Sequence, residues 1–208
     1  MIAFRVPVAA RATPDARAWL ESALVVAGLG AVVAARFAAT RAGLDPILVG
    51  AGFGLALLGL VPAAGGRLRL GPRAMNQALA GAAVGLALVA VVLLASRLAG
   101  STVVPGLARP ASAFAPWALV AVVVAVAEEA VLRGLLFDRL RRSGDTLLAL
   151  ALTTVVFALM HVPLYGWHVL PLDLAVGVVL GMLRASTGSV VAPATAHVIA
   201  DWAGWFLR

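Results

Sequence analysis

Seven apolar runs, each close to twenty residues long, constrain this chain more than any other feature of its sequence. They fall at about residues 19–36, 46–64, 76–96, 113–137, 145–162, 168–185 and 189–207. A helix rises ~1.5 Å per residue, so about twenty residues match the ~30 Å hydrocarbon core of a bilayer. Backbone polar groups find no water there, and an α-helix is the structure that satisfies them within a single run. The expectation is an all-α fold: a polytopic integral membrane helical bundle of about seven transmembrane helices, six to eight being admissible. Turn chemistry separates the runs at Gly65-Gly66, at Gly71-Pro72 and at Val104-Pro105-Gly106. No soluble domain, low-complexity linker or internal repeat is visible. Residues 1–208 therefore read as one membrane domain, with a motif-bearing core at about 113–207.

Composition agrees, since 63% of residues are apolar and 12% charged, and the mean hydropathy is +1.05. A soluble domain is nearer half apolar and a quarter charged. All sixteen basic residues are arginine, and the net charge is +7. The arginines sit in short segments between apolar runs, where they set topology and contact anionic membrane lipids. Nucleic-acid binding is excluded on that ground. With no cysteine, disulfides, thiolate metal sites and a cysteine nucleophile are excluded as well. Arg5, Arg11, Pro14 and Arg17 interrupt the first eighteen residues, so no cleavable signal peptide is expected. With the N-terminus inside, ten arginines lie on the inner side (Arg5, Arg11, Arg17, Arg67, Arg69, Arg73, Arg139, Arg141, Arg142 and Arg184). Five lie outside: Arg36, Arg41, Arg97, Arg109 and Arg208. This asymmetry reads as a multi-pass protein of a bacterial-type inner (plasma) membrane with a cytoplasmic N-terminus.

Ionisable residues within the runs carry the functional information, because a charge at mid-bilayer costs at least ~2.5–3.5 kcal/mol unless it faces a polar interior. The fourth run holds Glu128, Glu129 and Arg133, the last two sharing a helix face with acid before base. Glu128 points about 100° away from that pair. Phe157 and His161 lie one turn apart on the fifth run, and His197 and Asp201 one turn apart on the seventh. Counting ~1.5 Å per residue from the inner edges puts Glu128 about 14 Å deep, His161 about 24 Å, His197 about 12 Å and Asp201 about 18 Å. All four fall within the bilayer, with an offset at His161.

A carboxylate and an imidazole converging in a dry cavity can act together as a general base on water, because desolvation strengthens the carboxylate as a base. A second imidazole with a neighbouring side chain can donate to a developing oxyanion. Two histidines and a carboxylate can equally hold a divalent metal such as zinc that activates the same water, the candidates being Glu128, His161 and His197. Both routes end in hydrolysis, and the residues leave open whether a metal takes part.

Glu128-Glu129-x-x-x-Arg133, Phe157-x-x-x-His161 and His197-x-x-x-Asp201, in that order on successive apolar runs, resemble the three motifs of the CPBP family, the CAAX-processing endopeptidases and bacteriocin-processing (Abi-type) enzymes. Gly177-x-x-x-Gly181 and Ser186-Thr187-Gly188-Ser189 are similar to the lead-in to its third motif. The resemblance covers about residues 113–205, and the first three runs carry no signature. Many members have Asn where Asp201 stands. The resemblance implies an intramembrane endopeptidase, of metalloprotease or glutamate type. In it Glu128 is the main catalytic carboxylate with His161 its partner, His197 and Asp201 stabilise the tetrahedral intermediate, and Glu129 and Arg133 organise the site. The implied partner is a peptide or membrane-protein substrate, cleaved near the membrane face.

Blander readings exist for each part. Glu129 and Arg133 can be a structural ion pair, His161 a satisfied core histidine, His197 and Asp201 a helix-joining pair, and Phe157 simple packing. Trp167, His168 and Asp173 read as interfacial anchors. Two other functional classes remain beside the protease. One is a non-catalytic membrane scaffold or bacteriocin-immunity protein. The other is a proton-coupled transporter, against which stands the confinement of the in-membrane charges to the second half.

Overall fold

The computed structural model describes residues 16–67, 72–98 and 113–206. Arg5, Arg11, Arg69, Arg109 and Arg208, most of the N-terminal segment, Gly71 and the Val104-Pro105-Gly106 turn lie outside these residues. The described chain runs through α1 (Ala16–Arg41), α2 (Pro46–Ala63), α3 (Ala74–Leu98) and α4 (Phe114–Glu129). A π-helical stretch (Ala130–Leu136) continues α4 without a break into α5 (Phe137–Ser143). Then come α6 (Thr146–Tyr165), a 3-10 turn (Trp167–Val169), α7 (Leu170–Thr187) and α8 (Val191–Phe206). No strand occurs among the described residues.

Helix ends follow local chemistry. Asp45 accepts hydrogen bonds from the amides of Ile47 and Leu48 at 2.9 and 3.0 Å, with Pro46 in the first turn of α2. Asp145 caps α6 through the Leu148 amide at 2.7 Å. Gly188, at φ +69°, ends α7 in the left-handed conformation that a side chain resists. Five helical segments, namely α1, α2, α3, α6 and the 3-10 turn with α7, are long and apolar enough to cross a membrane. The sequence reading of about seven spans is thus met in part. The sixteen-residue α4 and α8 are shorter than a full span, and the run beginning with α4 is completed by the π-helical stretch and the charged α5.

Helix α8 lies at the centre, packed by α3, α4 and α7. The α3–α8 crossing is close because Gly81 and Gly85 present no side chain. A Cβ on Gly81 would stand 2.2 Å from the Ala192 carbonyl oxygen, and one on Gly85 2.9 Å from that of Ala196. Gly81→Ala should therefore cost about 1–3 kcal/mol, read as a lower melting temperature in detergent. Gly59→Ala, whose Cβ would meet nothing within 4 Å, should leave stability unchanged or slightly raised. Equal effects of the two would show that α3 and α8 do not meet backbone to backbone.

One apolar core runs through Leu29 of α1, Leu57 of α2, Leu132 and Leu136 of the π-helical stretch, Leu180 of α7 and Ala196 of α8. The outer faces carry exposed Leu48, Met75, Leu119 and Leu147. In water such a surface is a liability, whereas lipid solvates it.

Candidate active site

The chain brings together all six residues that the sequence singled out. Glu128 and Glu129 end α4, Arg133 sits in the π-helical stretch, His161 is near the end of α6, and His197 and Asp201 lie on α8. Glu128 Oε2 is 4.0 Å from His161 Nε2 and 3.8 Å from His197 Nε2. His197 Nε2 is also 3.7 Å from Asp201 Oδ1. The depth offset of His161 closes through side-chain direction. Glu128 meets His161 while Arg133 meets Phe157, so the two helices run antiparallel. Side chains lean toward the N-terminus of their own helix, hence these two lean toward each other.

Hydrogen bonds on the far side of each ring fix its orientation. His161 Nδ1 lies 2.8 Å from the Phe157 carbonyl oxygen. A carbonyl only accepts, so Nδ1 carries the proton, and in the neutral ring Nε2 offers its lone pair toward Glu128. His197 Nδ1 lies 3.1 Å from Glu129 Oε1, the oxygen that also accepts from Arg133 Nη1 at 2.9 Å. That carboxylate accepts from both, so His197 likewise turns Nε2 toward Glu128 and Asp201. Phe157, 2% exposed, packs edge-on against both imidazoles, with centroids 4.7 and 5.5 Å apart. It is packing that also aims His161.

Glu129 and Arg133 are fully buried. Besides Glu129, the Arg133 guanidinium donates from Nη2 to the Gly177 carbonyl at 3.2 Å and lies 4.6 Å from the Phe157 ring centre. Gly177 permits this, because any Cβ there would stand 3.0 Å from Thr154 and 3.3 Å from Phe157. Arg184 donates from Nε to the Arg133 carbonyl oxygen at 2.6 Å and from Nη2 to Asp138 at 2.6 Å. The backbone of the π-helical stretch is therefore held from α7, at the element where helical hydrogen bonding departs from its usual register.

Some residues play parts the sequence reading did not assign. Asp173 is not an interfacial anchor: its carboxylate is mostly buried, with Oδ2 3.8 Å from His161 Nδ1. Arg139 and Arg184, counted as loop arginines, are buried and tied to neighbours. Trp167 and His168 are exposed, as interfacial residues would be. Tyr165 stacks on His161 at 5.9 Å. Only Tyr165, four residues after His161, carried a signal in the sequence, namely helical spacing. The cavity in which these groups meet measures about 600 Å³ and is lined by Glu128, His161, His197, Asp201, Tyr165 and Arg36. Arg36, stacked on Phe53 at 4.4 Å, is the cavity's one guanidinium among the described residues.

A metal would have to be held by Glu128, His161 and His197. Bonds of ~2.0–2.2 Å in a tetrahedral shell set neighbouring donor atoms about 3.4 Å apart. The imidazole nitrogens here stand 4.0 and 3.8 Å from Glu128 Oε2. Among the described residues no group of three or more His, Asp or Glu is placed to hold a metal ion. The side chains as set do not fit one.

Residues 110–203 match the family model described as Rce1-like, type II CAAX prenyl endopeptidase Rce1-like. No curated protein and no solved structure matches the chain. The matched segment begins just before α4, contains every motif residue from Glu128 to Asp201, and excludes α1, α2 and α3. The similarity to Rce1-like type II CAAX prenyl endopeptidases thus spans residues 110–203, a little under half of the chain, and takes in all six candidate site residues.

Proposed function

We propose that this chain is an intramembrane endopeptidase that hydrolyses a peptide bond near the membrane face, with Glu128 and His161 activating the water. One observation carries the reading: two imidazole Nε2 atoms face a single carboxylate oxygen, at 4.0 and 3.8 Å, in a cavity of about 600 Å³. These gaps exceed a hydrogen bond, and one water can bridge each of them. The water donates its hydrogens to Glu128 and to the His161 Nε2 lone pair, which leaves its own lone pair for the peptide carbonyl carbon.

As the new C–O bond forms, the water's proton passes to Glu128 and negative charge collects on the former carbonyl oxygen. His197, anchored to Glu129 and protonated on both nitrogens, donates from Nε2 to that oxygen, and Asp201 orients the ring. Collapse of the intermediate breaks the C–N bond, and Glu128 returns its proton to the leaving amine. Glu129 and Arg133 are positioning residues that act through His197.

The substrate class is a peptide or membrane-protein segment. The cavity opens beside the start of α2, the start of α4 and the end of α8. The excess of arginines at the other end supports a cytoplasmic N-terminus in a bacterial inner membrane. The test is hydrolysis of a peptide library by the purified protein in detergent, with and without chelator. Cleavage should persist in chelator, since the proposed chemistry uses side chains alone. Cleavage that chelator stops and added zinc restores would overturn the glutamate mechanism.

A further inference from the structure

At the end of the bundle opposite the catalytic cavity, where α2 finishes and α8 begins, lies a second cavity of about 430 Å³. Its lining includes four arginines, Arg67, Arg139, Arg142 and Arg184, against one carboxylate, Asp138. Asp138 is already engaged by Arg184 at 2.6 Å. Arg139 donates to Glu21 at 3.3 Å and to the Ala64 carbonyl, yet its Nη1 is buried without a partner. The whole Arg139 side chain is 9% exposed. Arg67 and Arg142 are exposed, and nothing among the described residues pairs with either. The start of α8 adds the positive end of a sixteen-residue helix.

The cavity thus presents more guanidinium donors than the protein itself satisfies, which is the chemistry of a phosphate-binding site. One acceptor is also left over, since Gln77 Oε1 is buried without a partner and lines the same cavity. A headgroup hydroxyl can donate to it. In a membrane-spanning bundle such helix ends lie at headgroup depth.

We propose that this cavity binds an anionic glycerophospholipid. Its phosphodiester is held by Arg139, Arg142 and Arg67, and a headgroup hydroxyl donates to Gln77. Ala130 and Gly134 of the π-helical stretch line the cavity too, so the lipid touches the element that carries Arg133, on the side away from Glu128.

The test uses the full chain in a zwitterionic detergent, with melting temperature followed as lipid is added. Phosphatidylglycerol should raise the melting temperature, while phosphatidylcholine with the same acyl chains should not. Inorganic phosphate in millimolar excess should neither reproduce the shift nor abolish it. Arg67→Gln with Arg142→Gln, which breaks no ion pair or side-chain hydrogen bond among the described residues, should weaken phosphatidylglycerol about ten- to thirty-fold. Arg41→Gln with Arg97→Gln, at the opposite end of the bundle, should leave it unchanged. Three outcomes would each overturn the site: equal stabilisation by phosphatidylcholine, an equal loss in the Arg41 and Arg97 variant, or displacement of the lipid by phosphate alone.

Discussion

Glu128→Gln should lower peptide hydrolysis by about 10²–10⁴-fold, the contribution of a general base, without lowering the melting temperature. Glu128 is 2% exposed, its Oε1 is buried without a partner, and its Oε2 stands beyond hydrogen-bonding distance of both imidazoles. The carboxylate is therefore a buried group that makes no hydrogen bond among the described residues and has only the two imidazoles within ion-pair range. An amide of the same shape removes the buried charge and cannot accept the water's proton. A group kept at the expense of stability is the pattern of a functional site. His161→Ala should remove activity in parallel. If Glu128→Gln instead destabilised the protein as much as it slowed cleavage, or if it left cleavage intact, Glu128 would be a structural residue and the proposed mechanism would fail.

The site was legible in the sequence to the extent that its members are charged or aromatic groups inside apolar runs. Glu128, His161 and His197 stood out because lipid tolerates such groups only when they face a polar interior, and the one-turn spacing of Glu129 and Arg133 gave their pairing directly. What stayed hidden depends on how helices rotate against one another. Asp173 lies near a helix start, as an anchor would, and only the packing of α7 on α6 turns it toward His161. Nothing in Ala130–Leu136 marks a π-helical register, because the contact that holds it, Arg184 to the Arg133 carbonyl, joins residues far apart in sequence. Arg36 read as a topology determinant, since a guanidinium at a helix end looks the same whether it faces headgroups or a cavity. The span count was least readable. The apolar run that begins with α4 carries on as helix through Asp138, Arg139, Arg141 and Arg142 before it turns, so hydropathy set its end too early.

The second large effect separates Arg133 from Glu128, although both lie on one continuous helical rod. Arg133→Ala strips Glu129 of its guanidinium partner in a fully buried setting, frees the Gly177 carbonyl and removes the cation from the Phe157 ring. Breaking such a pair costs ~3–5 kcal/mol, so the melting temperature should fall together with activity. Arg133→Lys should recover only part of the loss, because an ammonium cannot reach Glu129 and Gly177 through a fixed planar fork. Glu129→Gln with Arg133→Met should restore much of the stability, since neither charge of the pair is then left uncompensated and the introduced amide still offers an oxygen to His197 Nδ1. Activity should nevertheless stay low, because a neutral amide holds the His197 ring without supporting its imidazolium. The melting temperatures of the wild type, Glu129→Gln, Arg133→Met and the double variant in one detergent form a double-mutant cycle whose coupling should exceed ~1 kcal/mol. Strictly additive losses would mean that the two residues act independently despite their 2.9 Å contact, and Arg133 could then no longer be held to position His197 through Glu129.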